Sequence, residues 1–98
     1  MLDDLTGSIL APNPSGLVKF LNELKLQSIE PKRFLEQYLY YLRERAFSEL
    51  ASPNLPRLVR IFDACSLAYP KMKEFPNGFL LLEMTFLGQM QPGLELNS

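Results

Sequence analysis

One stretch, Pro31–Leu50 (PKRFLEQYLYYLRERAFSEL), constrains the chain more than any other. It is the longest uninterrupted helical signal in the sequence, with proline only at its first position, where a helix tolerates it. Leu35, Tyr38, Leu39, Leu42, Ala46 and Leu50 recur at spacings of three and four and line one side of that helix. Phe34 and Tyr41 widen the stripe. Tyr40 and Phe47, seven apart, fall on a different side among Arg33, Glu36, Gln37, Arg43 and Glu44. A helix that is apolar on two sides has two surfaces to cover. The stripe containing Tyr38 is expected to face the protein's own core. Two aromatic rings set among charges have the composition of an interface anchor and its rim.

Around this helix the breakers punctuate the chain. Residues 1–14 carry Leu2, Leu5 and Ile9 at helical spacing and end in Pro12-Asn13-Pro14, which reads as an N-terminal linker or short helix, loosely held. Ser15 is a good cap for a first firm helix, Gly16–Gln27, with Leu17, Phe20, Leu21 and Leu24 on its apolar face. The short connection Ser28-Ile29-Glu30 makes that helix and the long one antiparallel neighbours. A third helix is predicted over Leu55–Glu74, with Asn54 as cap and a kink at Pro70, which lacks the N–H for the carbonyl of Ser66. It carries two stripes: Leu55, Leu58, Val59, Phe62, Cys65 and Tyr69 in one, Ile61, Ala68 and Met72 in the other. Asn77 caps the last helix, Phe79–Met90, which is apolar all round with Glu83 as its only charge. Such a helix is central in a bundle or shared with a neighbour, so Phe79 and Phe86 join Tyr40 and Phe47 as candidate interface residues. Glu83 is expected to pair with an arginine of a facing helix, Arg43 or Arg60. The fold class is therefore all-α: a compact bundle of four to five antiparallel helices, with the domain over residues 15–91 and a disordered tail over 92–98.

Composition closes several other routes. The 98 residues amount to one domain, 47% hydrophobic and 21% charged, an ordinary globular balance. Ten basic and eleven acidic residues are scattered to a net charge of −1, without the basic stripe that phosphate neutralisation needs, so no direct nucleic-acid contact is expected. Histidine is absent, which removes the commonest general base and metal ligand. Cys65 is the single cysteine, so neither an internal disulfide nor a cysteine zinc site is available, and a reducing, cytoplasmic setting fits. It sits on an apolar stripe and reads as a small core residue. No phosphate-cradling loop occurs; Gly7–Gly16 has two glycines but no lysine with a following Ser or Thr, and reads as linker. The expectation is a non-enzyme with no cofactor, no catalytic residue and no metal, and with no membrane span. Lys32 with Glu36, and Arg45 with Glu49, are placed to pair at i,i+4 on a solvated face.

The segment SGLVKFLNELKLQSIEPKRFLEQYLYYLRER resembles the domain that follows the ATPase module in the bacterial DNA polymerase III gamma/tau subunit. In that family a connection closing on Asp-Pro opens a helix whose centre reads as leucines followed by Leu-Arg. Here Ile29-Glu30-Pro31 and Tyr41-Leu42-Arg43 hold those positions. An apolar helix running into lysine, a Pro/Asn turn and a final Leu-Leu-Leu-Glu helix follow in the family's order as Arg57–Lys73, Pro76-Asn77 and Leu80-Leu81-Leu82-Glu83-Met84. The similarity covers Ser15–Leu87. Glu30 in place of aspartate, Pro70 inside a helix and a shorter N-terminal portion depart from the pattern. The resemblance implies a collar domain, one of a ring of helical domains that hold clamp-loader subunits together during DNA replication, without the ATPase module and without ATP hydrolysis of its own. Its implied partners are other clamp-loader subunits, in homo- and hetero-oligomers. The delta-prime subunit has a similar collar, and a stand-alone helical adaptor that binds a partner helix is the alternative from another class.

Overall fold

The computed structural model describes residues 1–90, and the chain there folds as five α-helices and one 3₁₀ turn, with no strand among the described residues. The helices are α1 (Leu2–Leu10), α2 (Pro14–Leu26), α3 (Pro31–Ser48), α4 (Leu55–Ala68) and α5 (Gly78–Met90). The 3₁₀ turn, Pro70–Lys73, follows α4. The radius of gyration, 13.0 Å, is that of a compact domain of this length. The tail expected over 92–98, with Gln91 before it, lies outside the described residues.

The chain's punctuation sets these boundaries. Pro14, Pro31 and Pro56 each stand in the first turn of a helix, where the missing N–H has no intrahelical partner to lose. The cap of α2 is Asn13 rather than Ser15: its Oδ1 accepts the Gly16 N–H at 3.0 Å, which lets the helix start at Pro14. Asn77 caps α5 by accepting the Leu80 N–H at 3.2 Å. Asn54 makes no side-chain cap; its own N–H donates to Ser52 Oγ instead. At the other end of α2, Ser28 takes φ 56, the Ile29 N–H donates to Leu24 O and the Ser28 N–H to Lys25 O. This pair of bonds is a Schellman stop with serine at the left-handed position that favours glycine. Pro70 ends the α-helical hydrogen bonding of α4, and the chain tightens into the 3₁₀ turn instead of continuing at an angle.

The N-terminal segment departs from its expected looseness. Leu5 and Ile9 of α1 are 1% and 0% exposed, and α1 packs on α2 and α5 as a full member of the bundle. Gly7 is part of this helix rather than of a linker. Two polar contacts hold α1 in place. Thr6 Oγ1 donates to Leu2 O at 3.0 Å, so its single proton is used and the Tyr38 hydroxyl must donate to Thr6 Oγ1, 2.8 Å away. Arg57 of α4 reaches the ends of two helices: its guanidinium donates to the carbonyls of Ile9 and Leu10, at 3.1 and 2.7 Å, and of Gln89, at 3.1 Å. A cation there meets the negative ends of α1 and α5 and satisfies carbonyls left over by helical bonding.

The core lies between α3, α4 and α5 and is closed from below by α1 and α2. Phe34, Leu35, Tyr38 and Leu42 of α3 meet Leu58, Ile61, Cys65 and Ala68 of α4 and Leu82, Phe86 and Met90 of α5. Tyr38 is stacked with Phe34 and Tyr41 and meets Phe86 edge-on, with centroids 5.6 Å apart. The start of α5 rests on the start of α3 so closely that a Cβ at Gly78 would lie 2.8 Å from Pro31 Cβ.

Two substitutions test this account. Thr6→Val leaves the buried Tyr38 hydroxyl without an acceptor and should cost about 1–3 kcal/mol, whereas Thr6→Val with Tyr38→Phe should cost less than the two single changes added together. Ser28→Gly relieves the left-handed backbone and should stabilise by about 0.5–1 kcal/mol. Urea unfolding of the four variants and the parent measures both effects, and a destabilised Ser28→Gly would refute the helix-stop account.

Candidate functional site

The outward side of α3 and the adjoining side of α4 form an apolar groove. Tyr40 and Phe47 are 68% and 60% exposed on α3, and Val59 and Phe62 are 48% and 38% exposed on α4. Two cavities lie along it, of about 480 Å³ and about 160 Å³. Leu39, Tyr40, Phe62 and Tyr69 line the larger; Leu42, Ala46, Phe47, Leu58 and Val59 contribute to the smaller. Arg43 and Phe62 line both, so the two are one depression divided at its middle.

Helical geometry makes the groove. On α3 the stripe of Leu35, Tyr38 and Leu42 is buried, as expected, while Leu39 and Ala46 are half-buried at its edge, and this rotation turns Tyr40 and Phe47 outward. On α4 the two stripes read from sequence regroup. Leu58, Ile61, Cys65 and Ala68 go into the core, and Val59, Phe62 and Tyr69 line the groove. In sequence Val59, Phe62 and Tyr69 interleave with Leu58 and Cys65 and read as one stripe with them. Their own spacing of three and seven residues is the signal that separates them.

Charge sits at one end and at the centre of this surface. Arg43 lies over the Phe47 ring, 5.0 Å from its centroid, and its Nη1 is 2.9 Å from Glu44 Oε1. At one end Tyr69 donates its hydroxyl proton to Glu36 Oε2 at 2.9 Å, and Lys32 Nζ lies 5.6 Å from the Tyr69 ring centroid. The Glu36 carboxylate that accepts this proton holds the Tyr69 phenol above its ordinary range. Glu36 therefore bonds Tyr69, and no Lys32–Glu36 pair forms among the described residues. The Arg45–Glu49 pair does form, at 2.6 Å. Arg45 is not merely solvated: it also donates to the Tyr41 hydroxyl at 3.0 Å and lies 3.5 Å from Asp3, while Tyr41 donates to Asp3. This network ties α1 to the back of α3.

The remaining candidates separate. Phe86 is 0% exposed against Tyr38, so it belongs to the core and is corrected from an interface residue. Its position on α5 coincides with Leu82 and Met90, which point the same way. Phe79 is half-buried under Lys25, whose Nζ is 5.4 Å from the ring centroid. The expected ion pair between Glu83 and Arg43 is absent: Arg43 pairs with Glu44, and neither Arg43 nor Arg60 reaches Glu83. Glu83 lies at the half-exposed margin of α5.

Nothing in this arrangement is an acid–base or nucleophilic constellation. Among the described residues no group of three or more His, Cys, Asp or Glu could hold a metal ion. Cys65 is fully buried and its thiol is pushed up to about 12 by that burial. Burial likewise holds the Tyr38 phenol above its ordinary range. Both groups are protonated in the fold at pH values where the unfolded chain releases its protons. The unfolded state then binds fewer protons, so stability should be level from about pH 7 to about 8.5 and fall as pH rises beyond it. Native Cys65 should react with an aromatic disulfide reagent at pH 8 at least about 100-fold more slowly than in guanidinium, since the thiolate forms only on opening. Thiol titration with and without denaturant, and urea midpoints from pH 7 to 10.5, check the two statements.

No helix among the described residues is long and apolar enough to cross a membrane. No protein-family model, curated protein or solved structure matches the chain.

Proposed function

We propose that this chain is a non-catalytic oligomerisation domain of the collar type, which holds subunits of the bacterial replicative clamp loader, DNA polymerase III gamma/tau, together for DNA replication. The observation that carries the reading is the groove between α3 and α4. Four large apolar side chains surround it at 38–68% exposure, while seventeen others already fill the core. Isolated exposed apolar residues are ordinary on a protein surface, but aromatic rings gathered along a groove with charges only at its centre and one end have the make-up of an interface. Collar domains need such a surface in addition to a core. The order of motifs from Ser15 to Leu87, above all Glu30-Pro31 opening the long helix and Leu80-Leu81-Leu82-Glu83 in the last, supports the choice of this family.

The groove has no chemistry of its own, so the proposed work is mechanical: to bury Tyr40, Phe47, Val59 and Phe62 against neighbouring subunits in the cytoplasm, without contacting DNA. A stand-alone adaptor would use the same surface for a different partner, and a delta-prime collar would use it within the same assembly. Mixing the chain with purified clamp-loader subunits separates these. Entry into a defined multi-subunit complex supports the collar; its failure with every subunit favours the adaptor.

Tyr40→Asp with Phe47→Asp should leave the melting temperature within a few degrees of the parent, because both rings lie outside the core. The same double change should weaken assembly about 100-fold or more, the effect expected on losing two aromatic anchors. Circular dichroism melting and sedimentation velocity on the same samples read both. Unchanged assembly would place the partner surface elsewhere.

A further inference from the structure

The groove has a counterpart on the same molecule. On α5, Leu80 and Met84 are 44% and 60% exposed and Leu87 is half-buried, an apolar ridge at spacings of four and three. Glu83, the only charged residue of α5, flanks that ridge and makes no ion pair among the described residues. None of these four residues lines either cavity of the groove. Ridge and groove are therefore two separate surfaces, one carrying a carboxylate without an ion pair among the described residues and the other an arginine that lies over Phe47 and pairs with its sequence neighbour Glu44, both members of that pair being largely exposed. An exposed pair of that kind is weak and readily exchanged.

The two surfaces share a register. Tyr40, Arg43 and Phe47 follow one another at three and four residues along α3, and Leu80, Glu83 and Leu87 follow one another at three and four along α5. Each set spans about 10 Å at 1.5 Å per residue. Laid parallel, Leu80 meets Tyr40, Glu83 meets Arg43 and Leu87 meets Phe47, with Met84 entering the depression that Arg43 and Phe62 share.

We propose that the α3–α4 groove receives the α5 ridge of a second copy of this chain, with Glu83 of one copy paired to Arg43 of the other. The proposal rests on reading the groove as a protein-binding surface, and is independent of which assembly the chain serves. Groove and ridge differ, so the contact is heterologous: each copy offers a free groove at one end and a free ridge at the other, and the association continues to a ring or an open chain.

The test uses sedimentation velocity on the full chain and five variants, with circular dichroism to establish that each is folded. The parent should associate with rising concentration. Arg43→Glu and Glu83→Arg should each weaken association about tenfold or more, and the two changes in one chain should restore it, because the pair is re-formed with reversed sign. A groove-blocked variant, Phe62→Asp, and a ridge-blocked variant, Met84→Asp, should each be monomeric alone and form a 1:1 dimer when mixed, since one intact groove and one intact ridge remain. Any of four results would overturn the proposal: a parent that stays monomeric to about 1 mM, far above any useful self-affinity; a ridge-blocked variant that associates like the parent, which marks a groove-to-groove contact; blocked variants that fail to pair; or a charge reversal that is not rescued. If the parent is monomeric yet Tyr40→Asp with Phe47→Asp still weakens assembly with clamp-loader subunits, the collar reading stands and only the self-contact fails.

Discussion

The Tyr38 hydroxyl is the constraint around which the bundle closes. The ring is needed at the centre of the core, where it meets Phe34, Tyr41 and Phe86, yet its oxygen cannot be buried without a partner. The partner is Thr6, whose own proton is already committed to Leu2 O. One turn of the N-terminal helix is thereby fixed against the middle of α3, thirty-two residues away. Leu5 and Ile9 on either side of Thr6 are then carried into the core. The burial that demands this contact also holds the phenol above its ordinary range, so it remains a donor throughout the neutral pH range.

Arg57 completes what Tyr38 begins. A threonine contact fixes the middle of α1, but the end of that helix still exposes carbonyls, and so does the end of α5. One guanidinium satisfies three of them from α4, an arrangement available to arginine because its donors are spread in a planar fork. No carboxylate pairs with Arg57 among the described residues; helix ends supply the negative potential. The first and last helices are in this way referred to a common point on the third side of the bundle. Together with the apolar core, this joins the five helices of the described residues in one body.

The parts of this fold that were legible in the sequence are those set by local chemistry. Proline in first turns, Asn77 before the last helix and the three-and-four spacing of Leu35, Tyr38 and Leu42 act over a few residues, and each predicts an element directly. The outward placement of Tyr40 and Phe47 followed from the same arithmetic. Two kinds of feature were hidden. The first depends on partners far along the chain: Thr6 and Arg57 look like surface residues until the elements facing them are known, so α1 was read as loose. The second depends on how far a helix is rolled about its axis. On α4, Leu58 and Val59 differ by one position, and only packing decides that the first enters the core and the second lines the groove. Phe86 was misplaced for the same reason, since a helix apolar all round carries no periodic signal to say which ring faces inward.

The rotation of α3 has a consequence for how the protein can be altered. Tyr38 and Leu42 face the core while Tyr40, Arg43 and Phe47 face the groove, so adjacent positions serve different surfaces of one rigid helix. Core residues of that helix are held by contacts on every side, and the groove residues contribute little to them, which makes folding and surface recognition separable by substitution. They are not separable in position. Because Tyr38 is bonded to Thr6, and Tyr41 and Arg45 meet Asp3, α3 is fixed against α1 from the back. The helix that carries Tyr40 and Phe47 is thereby held in place, so burying those rings against another surface would not first require ordering the backbone beneath them.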